Sequence, residues 1–228
     1  DWFHRRKDQE KKLLDALEQM RNGTHAITQV ADVIEVLPAE PIEVPAEVAQ
    51  ANVIAYVEFE GHFNSKKAPH EVPVYELTQL VEQIVHVESP VHEDEIARRV
   101  TKAFGLEKAG SRIQYATVSA LKGSRNLSNS SGIWSIPNIP IQVRDRSKVN
   151  SKSLVNAAML PPVEIVAAMK LIVEQSVRIH SDELIQSVSR MFGFQRCGPD
   201  LKEVIHQALN SQLAEVFVID ADGFVMTA

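Results

Sequence analysis

The chain has 228 residues, 44% hydrophobic and 24% charged, with a formal net charge of -6, which is ordinary globular material long enough for two small domains. Its one cysteine, Cys197, rules out an intramolecular disulfide and a cysteine-rich zinc site and fits a reducing, cytoplasmic setting. The most apolar stretch, Leu154 to Val173, is broken by Asn156, Pro161, Pro162, Glu164 and Lys170, so no membrane partner is expected.

The chain opens on Asp1-Trp2-Phe3 followed by charges. It has no initiating methionine and no apolar signal region, as expected of a piece of a longer protein. Leu13, Leu14, Leu17 and Met20 fall at helical spacing among Lys, Glu and Asp, which predicts a one-sided amphipathic helix over 8–20 within an N-terminal piece, 1–22. From 23 to 75 the texture changes. Pro38, Pro41, Pro45, Pro69 and Pro73 punctuate a connector in which eight acidic residues face only Lys66 and Lys67. Asn52 to Phe59 alternates apolar and polar positions and predicts one strand, which is expected to find a pairing partner, a neighbouring sheet edge being the candidate.

The rest of the chain is organised by a duplication. Residues 77–121 are echoed at 165–209 without a gap, at a constant offset of 88. His92, Asp94 and Glu95 return as His180, Asp182 and Glu183, and Phe104, Gly105 and Gly110 return as Phe192, Gly193 and Gly198. In copy one Leu77, Leu80, Val81, Ile84 and Val85 predict a helix with one buried face, as do Ile165, Ala168, Met169, Ile172 and Val173 in copy two. A short extended piece follows, Pro90 to His92 and Arg178 to His180. The second helix then turns Ile96, Val100, Ala103 and Phe104 inward, matched by Leu184, Val188, Met191 and Phe192. Gly105 and Gly193 stand where a helix C-terminal glycine belongs. A third helix begins at Ser111, where Ser111 and Gln114 have the spacing of a capping box, and near Pro199 in copy two. Its inward residues are Ile113, Thr117, Ala120 and Leu121, echoed by Leu201, Ile205, Ala208 and Leu209. A hairpin ends each copy: Val216 to Ile219, the turn Asp220-Ala221-Asp222-Gly223 and Phe224 to Thr227 in copy two, and a Ser/Asn-rich turn before Ile133 to Ile136 in copy one. This order predicts an α+β, mainly helical fold: tandem duplicated winged helices (helix-turn-helix domains) over 76–140 and 161–228, joined by a linker, 141–160.

Charge separates the copies. From Arg98 to Arg125, copy one carries Arg98, Arg99, Lys102, Lys108, Arg112, Lys122 and Arg125 against Glu107 alone. The matched stretch of copy two has Arg190, Arg196 and Lys202 against Asp200 and Glu203. The face of copy one's third helix opposite its apolar stripe presents Ser111, Arg112, Gln114, Tyr115, Ser119 and Lys122, with Lys108 and Arg125 flanking it. In a helix-turn-helix this is the face that enters a groove. Arg and Gln suit base edges, while Ser, Tyr, Lys and the helix start suit phosphates.

Other features carry blander expectations. His92 and His180 lack a second ligand at useful spacing and are expected to cap or pack rather than hold a metal. Trp134 is either a wing tip that stacks on a base or an inward residue covering the core, the inward placement being the one expected. Cys197 replaces Ala109 at a matched position, as a small packed side chain would. Glu93, Asp94 and Glu95 belong in the first turn of a helix, where they complement its dipole. No GxxxxGK, nucleophile elbow, HExxH or paired cysteine ligands occur, so neither catalysis, a cofactor nor a small-molecule ligand is expected.

The stretches Glu88-Ser89-Pro90-Val91-His92-Glu93-Asp94-Glu95-Ile96-Ala97-Arg98-Arg99 and Phe104-Gly105-Leu106-Glu107-Lys108-Ala109-Gly110-Ser111-Arg112-Ile113 resemble a C-terminal domain of unknown function. That domain occurs in very large bacterial proteins built on a superfamily 1 helicase-like ATPase. A Vsr-like domain of restriction-endonuclease fold often precedes it there, and Asp1-Trp2-Phe3 with Arg5 and Arg6 resembles that domain's end. The resemblance implies a parent protein that processes DNA, in defence or repair, and none of its ATPase or nuclease residues lies in this chain. The expectation is a non-catalytic DNA-binding accessory module that contacts duplex or junction DNA through copy one and other domains of the same protein through copy two. The alternative is a structural or protein–protein interaction module without nucleic-acid contact. A free-standing transcription regulator is disfavoured by the lack of a ligand or dimerisation domain.

Overall fold

The computed structural model describes residues 53–228, which lie in the second of two compact units of the chain, Val44–Ala228. The predicted helix over 8–20 and the connector up to residue 52 fall outside the described residues. What is described is α+β, with six α-helices and three small sheets.

A first set of elements runs α1 (Val74–Glu88), β2 (Val91–His92), α2 (Glu93–Ala103), α3 (Ser111–Gly123), β3 (Ser128–Ser130) and β4 (Ile133–Ser135). A second runs α4 (Pro162–Ser176), β6 (Ile179–His180), α5 (Ser181–Met191), α6 (Pro199–Asn210), β7 (Phe217–Ile219) and β8 (Phe224–Thr227). In each set the short strand after the first helix pairs antiparallel with the last strand of the hairpin, giving the orders β2-β4-β3 and β6-β8-β7. The apolar positions of the three-helix pattern are buried in both sets, apart from half-buried Phe104. Each set has its own core, and each fully buried aliphatic side chain contributes about 1.5–3 kcal/mol.

Two local devices recur. At the end of α2, Gly105 takes φ 70° while its N–H donates to Lys102 O and that of Leu106 to Thr101 O. Gly193, at φ 82°, ends α5 in the same way, with bonds to Arg190 O and from Phe194 N–H to Ser189 O. These paired bonds satisfy the last carbonyls of the helix, and they require the left-handed residue. At the start of α2, His92 Nδ1 accepts from Asp94 N at 3.1 Å, and the hairpin carbonyl of Gly132 accepts from Glu93 N. His180, Asp182, Ser181 and Gly223 repeat this at α5. Both histidines are therefore caps, tied to the glycine of their own hairpin.

The span 141–160 is built into the structure rather than strung between the two sets. Its strand β5 (Val143–Asp145) pairs in parallel with β1 (Val53–Ala55), in the register Val53 to Val143, and Tyr56 N donates to Asp145 O at 2.9 Å. The predicted strand from Asn52 to Phe59 is thus only three residues long. It stops because its partner stops: Arg146 N turns away to Phe192 O, and Asp145 Oδ1 takes Ser147 N at 2.8 Å. Val53 packs against the second core, while Phe59 and Phe63 pack against the first, Phe63 stacking on Phe104 at 4.6 Å. Two short 3-10 turns, Lys152–Val155 and Ala157–Met159, lead into α4.

A buried ionic network lies where these segments meet. Arg99, 4% exposed, pairs with Glu88 at 2.5 Å, Glu95 at 2.8 Å and Glu58 at 3.2 Å, and Arg98 adds a contact to Glu95 at 2.8 Å. Glu164, in the first turn of α4, takes Arg144 at 2.8 Å and Arg146 at 2.7 Å. Arg144 also donates to Glu88 O and Pro90 O, each at 2.7 Å, and lies over the Tyr56 ring, whose hydroxyl donates to Glu88. Burial pushes that hydroxyl's pKa well up. Around Arg99 carboxylates are in excess, and around Glu164 guanidiniums are; only joined do the two groups balance. Because unpaired buried charge costs several kcal/mol per ion, the network binds the first set of elements to the second through β1 and β5.

Candidate nucleic-acid interface

Helix α3 presents the face on which sequence placed the contacts. Ile113, Thr117, Ala120 and Leu121 are buried, and Thr78 Oγ1 of α1 donates to Ala120 O at 3.1 Å, which fixes the helix's rotation. Ser111, Arg112, Gln114, Tyr115 and Lys122 are consequently exposed, Ser119 is half-buried, and Lys108 and Arg125 are exposed at either end. The helix is not started by a capping box. Gly110 is the N-cap, in extended conformation, with its carbonyl accepting from Ile113 N and Gln114 N. That leaves both the Ser111 hydroxyl and the Gln114 amide out of the cap and on the surface.

The basic cluster is smaller than the composition indicates. Arg99 is not on the surface: it is consumed by Glu58, Glu88 and Glu95, and Arg98 leans on Glu95. Arg99 falls on the buried stripe of α2, three residues after Ile96 and one before Val100, a spacing that marks it as inward. Among the described residues no carboxylate lies within 4 Å of the charged groups of Lys102, Lys108, Arg112, Lys122 or Arg125. These five remain as the cationic surface of copy one.

The matched face of α6 differs in bonding as well as in charge. Asp200, Lys202 and Glu203 stand at the positions of Arg112, Gln114 and Tyr115. Lys202 pairs with Asp182 at 2.8 Å, Gln207 donates to Glu203 at 2.8 Å, and Asn210 bonds His206 at 3.0 Å. The Lys202–Asp182 pair raises the lysine's pKa and lowers the aspartate's.

The hairpin of copy one carries no charge from Ser128 to Gly132, and its outer strand is fully exposed. Trp134 is 5% exposed, belongs to the first core, and donates Nε1 to Glu93 at 3.3 Å, so it covers the core and does not reach outward. Cys197 packs half-buried against the second core.

One flank of the α3 face opens into a cleft that the sequence did not reveal. It has a volume of about 420 Å³ and lies between α3 and the turn that leads into α1. Val72, Leu77 and Ala116 form apolar wall, and Arg112, Tyr115 and His70 stand at its rim. The connector residues contribute because the segment ahead of α1 folds back: Glu71 N donates to Ala68 O, and Val72 packs into the first core. No group of three His, Cys, Asp or Glu side chains among the described residues is placed to hold a metal ion. Nor is any described helix long and apolar enough to cross a membrane.

The model of a family described as "Protein of unknown function (DUF3320)" matches residues 67–115. The match spans the lead-in to α1, α1 itself, β2, α2 and the first turn of α3, and so takes in Val72 and Leu77 of the cleft wall and the Arg112–Tyr115 face. No curated protein and no solved structure matches the chain. Over these residues the chain is therefore similar to a domain whose function is not known.

Proposed function

We propose that this chain is a non-catalytic nucleic-acid-binding accessory module made of two tandem winged helices, over 76–140 and 161–228. Copy one contacts DNA through α3, and copy two braces it. The divergence of two matched helix faces carries this reading. On α3 the cations and amide are exposed and unpaired among the described residues, whereas on α6 the same positions are acidic or already bonded to neighbours. A face kept free of carboxylates beside five cations suits phosphates. Bracing rests on Arg144, whose guanidinium is shared between the carbonyls of Glu88, the last residue of α1, and Pro90 and the carboxylate of Glu164 in the first turn of α4. The setting in a bacterial helicase-like ATPase rests on the resemblance of residues 85–113, and that of a preceding nuclease domain on Asp1-Trp2-Phe3 with Arg5 and Arg6.

Fluorescence anisotropy with labelled duplex, forked and single-stranded DNA across a salt series tests the proposal. Neutralising five phosphates gives a log–log salt slope of about -4.5 on duplex DNA. Arg112→Glu with Lys122→Glu is expected to abolish binding at moderate salt. Lys202→Glu on copy two is expected to leave it unchanged. Binding indifferent to the α3 substitutions, with the fold intact by circular dichroism, would move the chain to the protein–protein alternative.

A further inference from the structure

The structure points to a more specific ligand, an inference that rests on the nucleic-acid reading above: we propose that the cleft beside α3 receives an unpaired base from the strand whose phosphates lie along Arg112 and Lys122. A forked or single-stranded end, not a closed duplex, is then the preferred nucleic acid.

Three observations meet at this place. The cleft, at about 420 Å³, is within the range of sites that take small ligands; Val72, Leu77 and Ala116 offer a base an apolar surface, and Ser111, Ser119 and His70 also line it. Tyr115 at its rim is 77% exposed, with no described aromatic neighbour, so its ring is free to stack. Arg112 stands at the same rim without a carboxylate partner among the described residues. An apolar slot, a free aromatic ring and a free cation within one helical turn match the parts of a nucleotide: base, stacking face and phosphate. In a closed duplex the bases stack on each other, so neither the slot nor Tyr115 has anything to take. At the matched positions of copy two stand Asp200 and Glu203, which remove both the cation and the ring. The slot chemistry thus accompanies the free cationic face and is missing where that face is missing.

The test uses the full chain with one oligonucleotide series: a blunt duplex, the same duplex ending in a fork, and the fork carrying 2-aminopurine at the first unpaired position. Base–aromatic stacking predicts roughly tenfold tighter binding of the fork than of the blunt duplex and quenching of the 2-aminopurine. Tyr115→Ala, which removes an exposed ring, is expected to bring fork and blunt duplex to the same affinity and to erase the quenching. Val74→Glu, an exposed position lining the cleft, is expected to do the same by placing a carboxylate at the entrance. Equal binding of fork and blunt duplex that Arg112→Glu still abolishes would overturn the base-capture proposal and leave the nucleic-acid reading standing. No binding of any DNA at low salt would overturn both. A Tyr115-dependent dimer seen by sedimentation without DNA would assign the cleft to a second copy of the chain and overturn the proposal as well.

Discussion

Replacing Glu164 by Gln keeps the shape of the side chain and removes the one carboxylate among the described residues that pairs with both Arg144 and Arg146. Wild-type Glu164 is fully buried and accepts from Arg144 N at 2.9 Å, from Arg144 Nη2 at 2.8 Å and from Arg146 Nη2 at 2.7 Å. The two guanidiniums, 5% and 1% exposed, stay charged in the variant with no carboxylate between them. Breaking a buried pair from one side costs about 3–5 kcal/mol. At about 2–4 °C per kcal/mol for a chain of this size, the melting temperature at neutral pH falls by about 6–20 °C. The pH dependence sharpens the test. Burial alone would raise the pKa of Glu164, but Arg146 and Arg144 hold it below the ordinary value of 4.5. A carboxylate depressed in the folded state contributes stability that is complete above its unfolded pKa and is lost as pH falls through the folded one. The gap between wild type and Glu164→Gln is therefore widest above pH 4.5 and narrows on further acidification, where protonated Glu164 becomes as neutral as glutamine. Thermal melts followed by circular dichroism from pH 7 to pH 3 read both quantities. A variant melting within about 2 °C of wild type at pH 7, less than 1 kcal/mol, would refute the claim that this network holds the two sets of elements together.

Further outcomes follow from local geometry. Gly105→Ala is expected to cost about 1–2 kcal/mol for its positive φ alone, because no atom lies within 4 Å of the added Cβ. Gly193→Ala is expected to cost at least about 1 kcal/mol more in urea denaturation, since its Cβ would collide with Asp145 Oδ1 and meet Ser147 N at 2.6 Å. Val177, 80% exposed at φ 63° and ψ -47°, is held in a three-residue turn by Arg178 N donating to Ser176 O, and Val177→Gly is expected to stabilise the fold by about 1 kcal/mol in the same assay. His92→Ala removes the acceptor for Asp94 N and is expected to lower stability by about 1 kcal/mol, as is His180→Ala for Asp182 N.

Much of this molecule was legible as periodicity. The helix stripes, the glycines that end α2 and α5, the capping histidines and the inward Trp134 all follow from local rules, because a helix repeats every 3.6 residues and its ends need particular partners whatever surrounds it. Exposure of Arg112, Gln114, Tyr115 and Lys122 was legible for the same reason: they lie opposite the stripe that Ile113, Thr117 and Leu121 define. What misled was counting charge without placing it. Glu88 continues the stripe of Leu77, Leu80, Val81, Ile84 and Val85, and Arg99 continues that of Ile96 and Val100. Each is a charge at an inward position and so the signature of a buried pair, although no local rule names the partner.

The sequence by itself determined the repeated elements, their order and the divergence of the two outward faces, all encoded within a few turns of helix. Only the tertiary structure decided that the span 141–160 contributes a strand paired with β1, which carboxylates Arg99 meets, that Arg144 and Arg146 are buried, and that the turn ahead of α1 closes a cleft beside Tyr115. Those outcomes depend on residues far apart in the chain, such as Tyr56 with Arg144 and Glu88 with Arg144, or on a fold-back like that of Val72. Burial of ions is a collective outcome: no member is stable in the interior until all its partners have arrived, so no one segment carries the signal.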